Sequence, residues 1–127
     1  SAVICWFCVR SSVPVTQRGV THAFTVVSGH LPPGHEKSLV DWGALARVGG
    51  TIVVVMGVRN VRAITAALVE AGLSGDTPAA VIQEGETEAQ RVYFATAASL
   101  ADVMEAEGVA APAVYVVGEV AGLAHAR

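Results

Sequence analysis

At 127 residues, with 53% apolar and 15% charged side chains, the chain suits one folded domain with a real core and excludes a disordered segment. Its net charge of −3 is spread over both signs with no basic block, which gives nucleic-acid binding no electrostatic support. No apolar run reaches the roughly 20 residues of a membrane span. Residues 1–9 have neither a basic leader nor a small-residue cleavage site, so a cytoplasmic protein is expected. The first residue is Ser1 and not methionine, which suggests a fragment or a processed chain.

Residues 1–9 are apolar, include Trp6 and Phe7, and suit a short helix or a strand equally. Within them Cys5 and Cys8 stand as C-x-x-C. A zinc site needs two more ligands nearby, and a redox pair follows a strand in a thioredoxin-like unit. With neither accompaniment in the sequence, the expectation is a pair of buried apolar cysteines. After a polar break at 10–13, Pro14 keeps Val13 extended. Residues 22–29 (HAFTVVSG), rich in β-branched and aromatic side chains, are expected to form a strand. The prolines and glycines of residues 29–35 (GHLPPGH) exclude regular structure there.

Asp41 suits the N-cap of a short helix over 41–47, with Trp42, Leu45 and Ala46 on one face. Next comes the stretch GGTIVVVMGVRN, residues 49–60, whose five apolar residues 52–56 are bounded by glycines. That pattern predicts a strand buried on both faces. Asn60 suits the cap of a following helix in which Ile64, Leu68 and Ala71 recur at helical spacing until Gly72. Residues 77–83 (TPAAVIQ) and 90–95 (QRVYFA) predict two strands joined by the polar loop 84–88. A loop that short allows them to pair antiparallel. Ser99 suits the cap of a helix through Ala106 that ends at Gly108. Residues 112–120 (PAVYVVGEV) predict the last strand, and 123–127 a tail. The order β-α-β-α-β-β-α-β gives an α/β fold: a single layered domain with a mostly mixed five-stranded sheet flanked by helices.

In open α/β sheets, ligands bind beyond the carboxyl ends of the strands, where glycine lets the backbone come close. Met56 and Gly57 close one buried strand, and Gly85 follows another. These residues suit either a strand-end pocket or a core methionine with ordinary turn glycines. Arg18, in a short turn before a strand, suits a bidentate carboxylate clamp or a plain surface charge. Ser28 and His30 flank Gly29, but no G-x-S-x-G elbow is present. The four histidines lack the i, i+4 spacing of a metal pair; His30 and His35, in the Pro/Gly loop, suit a metal or an acidic substrate, but the expectation is a solvated loop. No dinucleotide fingerprint or P-loop occurs.

Four phrases in order carry a family resemblance: VPVTQRGVTHAFTVVSGH (13–30), DWGALARVGGTIVVVMGV (41–58), DTPAAVIQEGETEAQRV (76–92) and PAVYVVGEVAGL (112–123). Together they resemble the C-terminal half of the uroporphyrinogen-III C-methyltransferases, within the tetrapyrrole methylase family. The resemblance implies transfer of methyl groups from S-adenosyl-L-methionine (SAM) to C2 and C7 of uroporphyrinogen III. The product is precorrin-2, which feeds sirohaem and cobalamin synthesis. It also implies a homodimer of two-domain α/β subunits with SAM in the cleft between the domains. The family's cofactor methionine falls on Met56, with Gly57 beside it, and its cofactor-contacting glycine falls on Gly85. The arginine of its T-H-R phrase falls on Arg18, facing a substrate carboxylate, with Gln17 in place of the histidine.

The family's glycine-rich first loop, its G-G-D phrase and its T-A pair belong to an N-terminal domain and have no counterpart in these residues. Residues 4–12 (ICWFCVRSS) depart from the expected pattern. The chain is therefore expected to be the C-terminal domain of such an enzyme without its N-terminal domain, and inactive alone. Two alternatives stand beside that expectation. One is a truncated domain that only dimerises or binds a partner, and the other is a related precorrin methyltransferase.

Overall fold

The computed structural model describes residues 23–83, 91–110 and 112–126, with the side chains of the last segment described as far as residue 122. The elements follow as β1 (Phe24–Ser28), α1 (Trp42–Val48), β2 (Thr51–Val55), α2 (Val61–Glu70), β3 (Pro78–Gln83), β4 (Arg91–Thr96), α3 (Leu100–Ala106), β5 (Ala113–Val117) and α4 (Glu119–Ala126). The expected order is present, with one correction at its end. The last strand stops at Val117, and most of the residues expected as a tail belong to α4. The Gly118 N–H donates to the Pro78 carbonyl at 2.8 Å, and the Ala121 N–H donates to the Gly118 carbonyl at 3.1 Å, which starts the helical turn. Val120 and Ala121 are then buried, so the helix is held by packing more than by its own pattern.

The strands lie in the order β1-β2-β5-β3-β4. β1 and β2 are parallel, with Phe24 opposite Thr51 and Ser28 opposite Val55. Parallel neighbours need a crossover, and α1 supplies it. β5 is antiparallel to both of its neighbours, with Val54 and Val81 opposite Tyr115. β3 and β4 form the expected antiparallel pair, from Pro78 opposite Thr96 to Gln83 opposite Arg91. The sheet is therefore mixed, and its middle strand is the last in sequence. β2, for all its continuous apolar run, is one place removed from the middle.

The run 51–54 is buried throughout, as expected for a strand covered on both faces. Ile52 and Val54 of β2, Tyr115 and Val117 of β5, and Ala79 and Val81 of β3 face one layer of helices. Trp42 of α1, Ile64 and Leu68 of α2, and Leu100 and Met104 of α3 fill that layer. α4 packs on β3 and β4.

Asp41 caps α1 as expected, its Oδ1 accepting the Ala44 N–H at 2.9 Å. α2 ends in a Schellman closure. The Leu73 N–H donates to the Leu68 carbonyl and the Gly72 N–H to the Val69 carbonyl, with Gly72 left-handed at φ 118°. α3 closes the same way at Gly108. Ser99 does not cap α3 with its side chain. Its hydroxyl turns back to accept the Thr96 N–H at 2.9 Å, so it secures the end of β4 instead.

Candidate functional site

β2 and β3 both run antiparallel to β5, and β1 runs parallel to β2, so three strands end at one edge of the sheet. That edge collects Ser28 at the end of β1 and Gly29 after it, Met56 and Gly57 after β2, and Gln83 at the end of β3. Arg91, opposite Gln83, begins β4 there.

Met56 is unusual in two respects. Its φ of 55° makes it the one non-glycine residue in the left-handed region among the described residues. It is also 67% exposed, directly after a strand whose Val54 has no exposure. A left-handed non-glycine residue costs about 1–2 kcal/mol and persists only where its surroundings hold it. The backbone here turns a long thioether out of the sheet edge, where a core methionine would have pointed inward.

The surroundings that hold it are closely fitted. A Cβ on Gly57 would lie 2.6 Å from Val54 Cγ1 and 2.7 Å from the Tyr115 hydroxyl oxygen. The Gly57 carbonyl accepts two hydrogen bonds, from the Tyr115 hydroxyl at 3.1 Å and from the Asn60 N–H at 3.1 Å. Gly29 prolongs the β1–β2 ladder, its N–H donating to the Val55 carbonyl at 2.8 Å. A Cβ on Gly29 would meet the Gly57 Cα at 2.7 Å. The two strand ends therefore touch backbone to backbone, which only glycine permits.

Asn60 corrects another expectation. Its side chain makes no helix cap. Its Nδ2 donates instead to the Gly29 carbonyl at 2.8 Å and the His30 carbonyl at 3.2 Å, tying the loop after β1 to the start of α2. Burial holds the Tyr115 phenol well above its ordinary range, so its hydroxyl stays protonated and donates at any ordinary pH.

The other sequence candidates fall apart from this cluster or beyond the described residues. His30 and His35 are exposed in the loop after β1, and the His35 Nδ1 accepts the Lys37 N–H at 3.0 Å. Among the described residues no three His, Cys, Asp or Glu side chains come together as a metal site. Arg62 bridges α2 to α3 at the surface, 3.0 Å from Asp102 and 2.9 Å from Glu105. Hydrogen bonding to Asp102 raises its pKa further. Arg18, Gln17, Gly85, Cys5 and Cys8 lie outside the described residues.

The sequence singles out Met56 and Gly57, and the structure brings Gly29, Asn60 and Tyr115, which the sequence does not single out as site candidates, to the same edge. A signal was present for one of them. A tyrosine in an otherwise aliphatic buried strand must find a partner for its hydroxyl.

The family model described as Tetrapyrrole (Corrin/Porphyrin) Methylases matches residues 3–101. The chain is 42% identical over 113 residues to an S-adenosyl-L-methionine-dependent uroporphyrinogen III methyltransferase of Methanosarcina barkeri, covering 89% of this chain and 44% of the relative. It is 39% identical over 113 residues to a siroheme synthase of Methylococcus capsulatus, covering 89% of this chain and 24% of that protein. Among solved structures, the uroporphyrin-III C-methyl transferase of Thermus thermophilus complexed with S-adenyl homocysteine superposes with a TM-score of 0.69 at 34% identity. That match covers 91% of this chain and 50% of the solved one. The chain thus spans less than half the length of both curated relatives. A match over most of its residues establishes the family: the chain belongs to the tetrapyrrole (corrin/porphyrin) methylases.

Proposed function

We propose that this chain forms the C-terminal domain of a SAM-dependent uroporphyrinogen-III C-methyltransferase, which methylates C2 and C7 of its substrate to give precorrin-2. Met56 carries the reading: an exposed, left-handed methionine at the edge where three strands end. A strained, solvent-facing apolar side chain has no role in the core, and strain of this kind clusters at ligand sites. The polarizable thioether suits contact with an adenosine ring or a sulfonium. The residues fit such a cofactor in a second way, because Gly29 and Gly57 draw the strand ends together and put no side chain of their own at that edge.

SAM supplies, when bound, an activated methyl group on a sulfonium. The part played by the chain is to hold the donor in line with an electron-rich pyrrole carbon, and orientation of that kind is worth several kcal/mol. Gly85 and Gly57 belong to the same cofactor wall in this reading, and Arg18 holds a substrate carboxylate. Arg59 and Arg91 stand exposed by the same edge and suit a carboxylate-rich substrate. The opposite wall belongs to a second domain, and the enzyme acts as a cytoplasmic homodimer serving sirohaem or cobalamin synthesis.

Calorimetric titration of SAM into the whole protein tests the reading. Met56→Ala should weaken binding about tenfold, as loss of a packed ligand contact does. Equal affinity in both proteins would remove Met56 from the site.

A further inference from the structure

We infer that Tyr115 is a positioning residue for the cofactor wall: its buried hydroxyl, bonded to the Gly57 carbonyl, holds the left-handed turn that aims Met56 out of the sheet edge. The inference rests on the reading of Met56 as a SAM contact and adds a residue that lies outside the cleft.

Tyr115 sits in β5, the middle strand, directly opposite Val54 of β2 and Val81 of β3. It has no exposure, and its neighbours in β5 are aliphatic. Filling that place requires a large apolar side chain and not a hydroxyl. A buried hydroxyl is costly unless it is paired, and this one reaches the Gly57 carbonyl at 3.1 Å. The fit is mutual, since a Cβ on Gly57 would lie 2.7 Å from the hydroxyl oxygen and 3.2 Å from Cζ. The other bond to that carbonyl, from the Asn60 N–H, closes the turn downstream of Met56 and joins residues three apart. The Tyr115 bond joins residues 58 apart and ties the turn to the middle of the sheet. A strained residue keeps its conformation only when its surroundings over-determine it, and Tyr115 provides the long-range constraint on the peptide that follows Met56.

The test is Tyr115→Phe in the whole protein, which keeps the ring and removes the oxygen. Methionine methyl groups labelled with carbon-13 report the turn without ligand, and calorimetry with SAM reports the cleft. The Met56 methyl resonance should shift or broaden, while that of Met104, buried in α3, stays in place. SAM affinity should fall about five- to tenfold, as expected for loss of one hydrogen bond. Leu100→Val, a core substitution away from the edge, controls for general loss of stability and should change neither readout. An unmoved Met56 resonance together with SAM affinity within about twofold of wild type would overturn the inference, as would equal effects from Leu100→Val. A wild-type protein that fails to bind SAM overturns the functional reading instead, and the methyl resonance still decides the role of Tyr115.

Discussion

The carboxamide of Asn60 and the carbonyl of Gly29 meet at 2.8 Å across 31 residues of sequence. One side chain thereby joins the loop after β1 to the turn after β2, at the edge where the strands end. The same amide nitrogen donates a second bond to the His30 carbonyl at 3.2 Å.

Asn60 occupies the N-cap position of α2, but its side chain is a donor to the loop after β1 and not the capping acceptor, and the two side-chain roles predict opposite tolerance. At an N-cap, aspartate replaces asparagine freely. Here Asn60→Asp sets a carboxylate against two carbonyl oxygens and should destabilise at least as much as Asn60→Ala, by about 1–2 kcal/mol. Asp41, a true cap, should lose about 1 kcal/mol on change to alanine and little on change to serine. Urea denaturation of the four variants checks both statements. Equal stability of Asn60→Asp and wild type would return Asn60 to a capping role.

The contact between the two strand-end glycines leaves no room for a methyl group. Gly29→Ala places Cβ 2.7 Å from the backbone of Gly57, and Gly57→Ala places it against Val54 and Tyr115. Backbone yields less readily than side-chain tips, so Gly29→Ala should be the more damaging, costing about 3 kcal/mol against about 2 for Gly57→Ala. Thermal melts rank the pair. Gly57→Ala should in addition break the Tyr115 hydrogen bond, visible as a changed tyrosine ring environment.

Met56 should show a trade of stability against binding. Met56→Gly removes the left-handed strain, and glycine's greater chain entropy offsets part of the gain. Folding stability should stay level or rise by up to about 1 kcal/mol, while SAM affinity falls as in Met56→Ala. A variant that loses both stability and affinity would mean that the methionine packs as core.

Tyr115 predicts an alkaline effect. Desolvation raises its folded pKa above the ordinary 10.0, so above pH 10 the unfolded chain gives up the proton and the folded chain keeps it. The unfolded state then binds fewer protons, and stability falls with rising pH by about 1.4 kcal/mol per pH unit. Below that range the group contributes no slope. Wild type and Tyr115→Phe should therefore differ by a constant up to about pH 9 and converge above it. Parallel stability curves through the alkaline range would show that the phenol titrates normally.

Much of the architecture is local and could be read along the chain. The apolar run before Met56, the glycines at 72 and 108, and the cap at Asp41 each act through neighbouring backbone, so composition and spacing reveal them. The antiparallel pairing of β3 and β4 follows from a loop too short for a crossover. Asn60 and Ser99 misled for a shared reason. Both residue types suit caps, but each found a better partner, one in the loop after β1 and one at the end of β4. α4 was missed because its burial against the sheet, and not its own periodicity, holds it in place.

From its residues alone, the chain declared a mixed α/β sheet, a family resemblance, and a methionine and glycine at the end of a buried strand. Only the tertiary structure put the last strand in the middle, turned Met56 outward, and brought Tyr115 and Asn60 onto the carbonyls around it. Periodicity records which side of a strand is buried, whereas contacts between residues 31 and 58 positions apart depend on how the strands are ordered. That order is set by packing across the whole sheet, which no single stretch of sequence contains.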